Sequence, residues 1–565
     1  MKHRYNAHLP VLVREIVFGE GLFDFWSSQG RLLTKMADRW QWHRSPQYSD
    51  NFQIDLEQWL QLPATQVVKA NESRTVYRVV LPEMVVYVKV CRHNGARSWL
   101  RDLARGPKAK LEFETSLAMN HFGIPVPTVV AWGRSYGFLP GTSILITQEV
   151  PEVRTFEEFL LSQTWTAQQQ HHFARQFGQF VGQLHHQHVL HPDPHPGNLL
   201  VRADADGNLQ FFLVDLHNLQ FGRELSPTEI ETNLLHLNRW FLQKTTFSVR
   251  RQFWLAYQKI AAVDTISPQV IEQRTWVSIQ DLWDSRAKRC FRTNRSFHVV
   301  KQPPLQGYVD VELDSASLAT LLENPEAPFK NESKLMKNSR TSTVGEVSIR
   351  YQGQTHLAIW KRFNIKKWWT PWTNRLVRSN ALRSWLYAHH LLARGLPTAQ
   401  PLLVLHRTAW FGKWEGYLLT LKIPDAQELP QALVPLTNRE FANVLDQLAQ
   451  HIGLFHATGL SHGDLKGPNI LLSHQQGALR LYLIDLVAVR RVHRLPFRTR
   501  CQELARLNVS LMSLNRLRNS DRLRILRIYL NRTREQSHWK RAWTLIQQET
   551  KRKIDQNTAR GRSIH

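Results

Sequence analysis

The chain has 565 residues, 42% hydrophobic and 21% charged, so it reads as globular and too long for one core, and two or more domains are expected. Its formal charge is +27, from 73 Lys and Arg against 46 Asp and Glu; such a field draws nucleic acid, anionic membrane surfaces or phosphorylated substrates without choosing among them. Three scattered cysteines, Cys91, Cys290 and Cys501, exclude a disulfide framework and fit a reducing cytosol, no run of about 18 uncharged apolar residues offers a membrane span, and the first residues lack the apolar core of a signal peptide.

Within residues 1–50, Leu22-Phe23-Asp24-Phe25-Trp26 and Leu32-Leu33-Thr34-Lys35-Met36 predict short amphipathic helices, with Arg31, Lys35, Arg39 and Arg44 on polar faces. Packing on the following domain is favoured over contact with a membrane surface. From Gln66 to Val90 the residues alternate or cluster as strands, with a turn at Pro82-Glu83. Lys89 is the only charge in its apolar strand, and a buried lysine is costly unless paired, so it needs a phosphate or a carboxylate. A helix predicted over residues 108–122, closed by Gly123-Ile124-Pro125, offers Glu112 and Glu114 as partners. A strand over 143–147 and a long helix ending near His188 follow.

His191-Pro192-Asp193-Pro194-His195-Pro196-Gly197-Asn198 comes next, then Leu199-Leu200-Val201, then Phe212-Leu213-Val214-Asp215. The pattern is His-x-Asp-x-x-x-x-Asn, a hairpin, and a buried strand ending in Asp. Phosphoryl transfer from ATP needs this set: one carboxylate orients the attacking hydroxyl, while an amide and a second carboxylate hold the Mg²⁺ that bridges the phosphates. Helical spacing over 229–240 and 249–259 and a basic helix over about 269–290 close the half, and Leu305-Gln306-Gly307 reads as a linker or the opening of the next domain.

The second half repeats the order. Strands over 344–349 and 356–361 lead to Lys361, and a helix over about 380–394 ends at Gly395-Leu396-Pro397. A strand over 417–420 and a helix with Ile452 to His456 precede His462-Gly463-Asp464-Leu465-Lys466-Gly467-Pro468-Asn469 and Leu483-Ile484-Asp485. Asn follows Asp by five residues in both cassettes, and Lys89 to Gly123 and Lys361 to Gly395 both span 34. Lys89 to Asp193 spans 104 and Lys361 to Asp464 spans 103. Such agreement is an internal duplication, with a period too long for a solenoid, hence two tandem domains.

A strand lysine, a helix, a hinge strand, His-x-Asp…Asn and Asp in this order resemble the protein-kinase-like fold, and among its members the chain is most similar to bacterial lipopolysaccharide kinases of the Kdo/WaaP type. The second half carries the stronger signature, in Leu335 to Thr341, Trp360-Lys361-Arg362-Phe363-Asn364, His462 to Lys466, Arg506-Leu507-Asn508 and Asp521 to Tyr529. The likeness covers roughly 285–550 well and 65–290 more loosely. It implies an α+β fold of two tandem kinase-like domains, each with a small β-rich N-lobe and a helical C-lobe. The expected division is an extension over 1–60, a first domain over 61–292 and a second over 293–565.

The resemblance assigns Lys89 to the α/β-phosphates and Glu112, eleven residues before Gly123, to holding Lys89. It assigns Asp193 to accepting or orienting the hydroxyl proton, and Asn198 and Asp215 to the metal. In the second half it assigns Lys361, Asp464, Asn469 and Asp485 likewise, with Lys466 reaching the γ-phosphate as a point charge. Two departures stand out. Pro192 and Pro194 stiffen the first loop. Ser384 takes the position of Glu112, and no Asp or Glu occurs from Arg362 through Gly395. Neither half carries a G-x-G-x-x-G loop, so other residues must cover the phosphates. His191 and His462 are expected to brace the loops.

The implied function is an ATP- and Mg²⁺-dependent kinase phosphorylating a sugar hydroxyl of lipopolysaccharide inner core or a related glycolipid. Its partner would be an anionic glycolipid, and its place the cytoplasm, with peripheral contact at the inner face of the cytoplasmic membrane. The basic stretches 274–289 and 540–553 are candidates for that contact, with a solvated face the equal alternative. The alternatives of other classes are a tandem pseudokinase acting as a membrane-associated scaffold, and a kinase of protein side chains. Nucleic acid is not an expected partner, since basicity is its sole signal.

Overall fold

The computed structural model describes residues 40–48, 52–71, 73–92, 96–135, 141–161, 165–261, 267–330, 335–365, 378–409, 412–475, 477–559 and 561. The helices expected before residue 37 lie outside them. Among the described residues 47% are helical and 26% strand, and the chain divides into two compact units, Met1–Ser278 and Ile279–His565.

The first unit begins with strands β1 (Trp40–Arg44), β2 (Gln66–Asn71), β3 (Arg74–Val80), β4 (Val85–Cys91), β5 (Val129–Ser135) and β6 (Ser143–Gln148), in one sheet of order β1-β5-β6-β4-β3-β2. Side chains alternate across a strand. Val86, Val88 and Val90 therefore face the buried side with Ile144 and Ile146, while Lys89 shares the other face with its register partner Leu145. The helix Lys108–His121 covers that second face, packing Ala109 and Phe113 on Val129, Trp132 and Leu145. Glu112 is thereby carried to Lys89.

Below the sheet, β7 (Arg154–Thr155), β8 (Leu199–Ala203) and β9 (Leu209–Leu213) form a small sheet that presents the Asp193 loop and Asp215. The helices Ala167–His186 and Pro227–Lys244 start at full capping boxes, Thr166 with Gln169 and Ser226 with Glu229. A core of Phe156, Phe173, Phe177 and Phe211 fills this lobe. Gly178 lets the helix Phe247–Ala261 come close, since a Cβ there would lie 2.3 Å from the Phe253 carbonyl oxygen.

The second unit repeats the plan. Its large sheet holds β10 (Phe297–Gln302), β11 (Leu305–Asp310), β12 (Leu335–Asn338), β13 (Ser342–Tyr351), β14 (Gln354–Phe363), β15 (Pro401–Ala409) and β16 (Gly412–Leu421), in the order β10-β11-β15-β16-β14-β13-β12. Small sheets pair β17 (Gln427–Glu428) with β19 (Ile470–Gln475) and β20 (Ala478–Leu483), and β18 (Leu460–Ser461) with β21 (Arg490–Arg491). The helices Asn380–Ala393, Asn438–Ala457, Phe497–Ser510, Asn519–Thr533 and Trp539–Thr558 complete it. Each unit thus has a β-rich lobe and a helical lobe, the tandem kinase-like architecture that the duplication implied.

One local expectation is corrected and another is narrowed. Arg44 stands on β1, not on a helix: Trp40-Gln41-Trp42 alternates, and Arg44 Nε donates to the Phe52 carbonyl at 3.2 Å. Leu305-Gln306-Gly307, expected to be a linker or the opening of the next domain, starts β11, which pairs with β10 and β15 inside the second sheet, so the linker alternative falls.

Candidate active site

In the first unit Lys89 Nζ meets Glu112 Oε1 at 2.5 Å and lies 4.0 Å from Asp215 Oδ1. The lysine is 18% exposed and the glutamate 9%, so each neutralises a charge the other could not bury alone. Glu114 lies on the outside of the helix, beside Lys110. Asp215 adopts φ 65°, ψ 52°, a left-handed conformation that costs a non-glycine residue about 1–3 kcal/mol and gathers at functional sites. Arg74 Nη1 donates to Asp215 Oδ1 at 3.1 Å, and His217 Nδ1 to the same oxygen at 3.0 Å. Burial would raise the Asp215 carboxyl, but the His217 hydrogen bond and the Lys89 and Arg74 charges outweigh it and hold it far below the usual carboxylate range.

The Asp193 loop is braced from several sides. His191 Nδ1 accepts from the Asp193 amide at 3.2 Å, and its Nε2 donates to the Val214 carbonyl at 3.3 Å. Asn198 Nδ2 donates to the Asp193 carbonyl at 3.0 Å, and the Asn198 carbonyl accepts from the Val214 amide at 3.0 Å. This ties the loop to the strand that ends in Asp215. His195, two residues after Asp193, is turned to its own backbone, where its Nδ1 accepts from Gly197.

The second unit brings together the equivalent set. Asn469 Nδ2 donates to the Asp464 carbonyl at 2.8 Å and to its Oδ2 at 3.2 Å, and Lys466 Nζ sits 3.0 Å from the same Oδ2. His462 Nε2 donates to the Ile484 carbonyl at 3.2 Å. Asp485 repeats the left-handed backbone, φ 56°, ψ 59°. Ser384 is buried on the helix Asn380–Ala393, and Lys361 Nζ turns to Asp485 Oδ1 at 3.1 Å. Burial raises the Asp485 carboxyl, and the Lys361 charge and hydrogen bond lead the groups that bring it below its ordinary value.

Sequence reasoning missed the groups behind the loops. In the second unit Glu503, on the helix Phe497–Ser510, is 3% exposed and accepts four hydrogen bonds. Its Oε1 accepts from Ser461 Oγ at 2.7 Å and the Gly463 amide at 2.6 Å; its Oε2 accepts from the His462 amide and from His456 Nε2, both at 3.0 Å. Burial alone would push this carboxyl up, but the His456 hydrogen bond and charge, with Gly463 and Ser461, bring it down to about 2. In the first unit Asn233 stands there, accepting from His185 Nε2 at 3.2 Å and donating to the His191 carbonyl at 2.5 Å. The available signal was His185 and His456, each six residues before the loop histidine on an otherwise apolar helix face.

The lipopolysaccharide kinase (Kdo/WaaP) family profile matches residues 57–258 and again 334–529. The chain belongs to that family. Each match spans one unit's lysine strand, catalytic-type loop and terminal aspartate, so the family, whose members are phosphotransferases, is present twice. Among solved structures, "WaaP in complex with acyl carrier protein" is similar at 20% identity over 46% of this chain and 98% of that one, with a TM-score of 0.33. No curated protein matches the chain. Among the described residues no helix is long and apolar enough to cross a membrane.

The donor chemistry suits ATP with Mg²⁺, which takes few carboxylates plus phosphate oxygens. Asn469 and Asp485 in the second unit and Asn198 and Asp215 in the first are the residues that would hold the ion, which supplies neutralisation of phosphate charge. Asp485 is 45% exposed at the side chain, with room for ligand oxygens. Among the described residues Glu112, Asp215 and His217 also bring ligand atoms within 4.8 Å of one another, but Lys89 and Arg74 already lie against the two carboxylates.

Proposed function

We propose that this family member is an ATP- and Mg²⁺-dependent kinase that phosphorylates a sugar hydroxyl of lipopolysaccharide inner core or a related anionic glycolipid, at the cytoplasmic face of the membrane. The observation that carries it is the second unit's Asp464, set between Lys466 at 3.0 Å and Asn469 at 3.2 Å, with Lys361 and Asp485 paired at 3.1 Å. We read these as a hydroxyl-orienting carboxylate, a phosphate-directed cation and metal-type ligands of one unit. Positioning and charge neutralisation supply most of the catalysis in such transfers. The +27 charge suits an anionic acceptor.

The test is transfer from γ-labelled ATP to purified lipopolysaccharide by the full chain and by the double variant Asp193→Asn/Asp464→Asn. Loss of the proton-accepting carboxylates should cost about 10²–10⁴-fold. Label moving to lysate proteins instead of glycolipid would favour a protein kinase; nucleotide binding without any transfer would favour the scaffold.

A further inference from the structure

The two loops are held from behind by different chemistry. Glu503 fixes the second loop through two successive backbone amides, those of His462 and Gly463, immediately before Asp464. That arrangement needs an N–H at the middle residue. Gly463 supplies it in a left-handed conformation, φ 74°, where a Cβ would lie 2.8 Å from the Ala488 carbonyl oxygen. The first loop has Pro192 at that place, with no N–H and with φ locked near −65°. A carboxylate there would lose a donor, and Asn233 instead donates to the His191 carbonyl. A second support differs too: Arg506 donates to the Gly463 carbonyl, while the equivalent position in the first unit is His236, beside the Pro192 backbone.

The metal-type ligands differ in the same sense. Asp485 has Lys361 against it, whereas Asp215 has Arg74, His217 and, at 4.0 Å, Lys89. Ser342 occupies the second-unit position of Arg74, two residues before the valine that registers with the strand lysine in each sheet. Beside the aspartate of the loop, the second unit has Lys466 and the first has His195, turned away. What the first unit keeps is the Lys89–Glu112 pair, the contact that grips nucleotide phosphates.

Resting on the kinase reading above, we propose that the second unit carries the transfer, with Glu503 as the positioning residue of its loop, and that the first unit holds nucleotide with transfer suppressed. In the transfer the acceptor hydroxyl oxygen bonds to the γ-phosphorus as the bond from that phosphorus to the β–γ bridging oxygen breaks. ADP leaves, and the hydroxyl proton passes to Asp464. Glu503 touches neither substrate nor phosphate; it acts by keeping Asp464 aimed.

The experiment uses the full chain with labelled ATP, Mg²⁺ and purified lipopolysaccharide, together with binding of a fluorescent ATP analogue. Asp464→Asn should lower kcat at least tenfold further than Asp193→Asn does. Glu503→Gln should lower kcat tenfold or more, with the KM for ATP moving less than twofold, and Glu503→Asp should restore part of it. A larger loss from Asp193→Asn overturns the division of labour and leaves the kinase reading standing. Equal changes of KM and kcat in Glu503→Gln, with Glu503→Asp no better, overturn the positioning role. Nucleotide binding without any wild-type transfer overturns the kinase reading itself.

Discussion

His185 and Tyr257 in the first unit, and His456 and Tyr529 in the second, form the same buried pair at 2.9 Å. Beyond the histidine the units part: Asn233 in one, Glu503 in the other. Three positions change together, Pro192 with Asn233 and His236 against Gly463 with Glu503 and Arg506. The difference teaches that the loop and the helix behind it form one hydrogen-bonding unit. A carboxylate has acceptors only and needs donors before it. An amide can serve a loop that has lost a donor, by donating to a carbonyl. Changing one side alone leaves a buried polar group unmet, at about 1–3 kcal/mol and more for a charge.

The severest way to break the comparison is Gly463→Pro, which writes the first loop's residue into the second. It removes a donor to buried Glu503 and forces φ away from 74°. We expect a loss of about 3 kcal/mol or more of stability, on the scale of an uncompensated buried charge, and transfer reduced about a hundredfold or more. Adding Glu503→Asn should recover part of the stability. A double-mutant cycle with no coupling energy would show that the three positions vary independently.

The parts of the site that lie close in sequence were legible. The Asp193 and Asp464 loops, with Asn198, Asn469, Asp215 and Asp485 after them, stand at fixed spacing, and Lys89 announced itself as a charge in an apolar strand. The absence of an acid near Ser384 was legible too, and the response of Lys361 was not, because turning to Asp485 is a contact across 124 residues. Glu503 and Asn233 were hidden for the same reason: one polar residue on a helix is ordinary until folding sets it under a loop some 40 residues earlier. Arg44 was misplaced on a helix face because its strand β1 owes its place to pairing with β5, some 90 residues later in the chain.

The hubs should also part with pH. Burial pushes His185 down to about 4, only partly opposed by the Asn233 hydrogen bond. Between about pH 6.5 and 4 the unfolded chain binds a proton there that the folded chain refuses. Stability present above pH 6.5 is therefore lost as pH falls, by about 3 kcal/mol over the window. The Glu503 carboxyl is also depressed, so its contribution is full above about pH 4.3 and fades as pH falls toward 2. Hydrogen exchange should show the helix Ala167–His186 losing protection between pH 6.5 and 4.5, and His185→Gln should flatten that loss. An unchanged slope in His185→Gln would place the titrating group elsewhere.

The smallest expected effect concerns Arg74. The Arg74–Asp215 pair is 24% and 26% exposed at its side chains, so its worth lies on the ~0.2–1 kcal/mol scale of solvated ion pairs. Arg74 lies on β3, in the hairpin that stands in place of a glycine-rich loop, and it competes with any cation for Asp215. Arg74→Ala should therefore tighten Mg²⁺ binding at the first unit, by about threefold, a change of ~0.7 kcal/mol. The Asp464→Asn background, read by the Mg²⁺ dependence of fluorescent-nucleotide binding, reports this while transfer is suppressed. If nucleotide affinity instead falls at every Mg²⁺ concentration, Arg74 is itself a phosphate ligand, and the hairpin grips nucleotide with a guanidinium where other kinases use backbone amides.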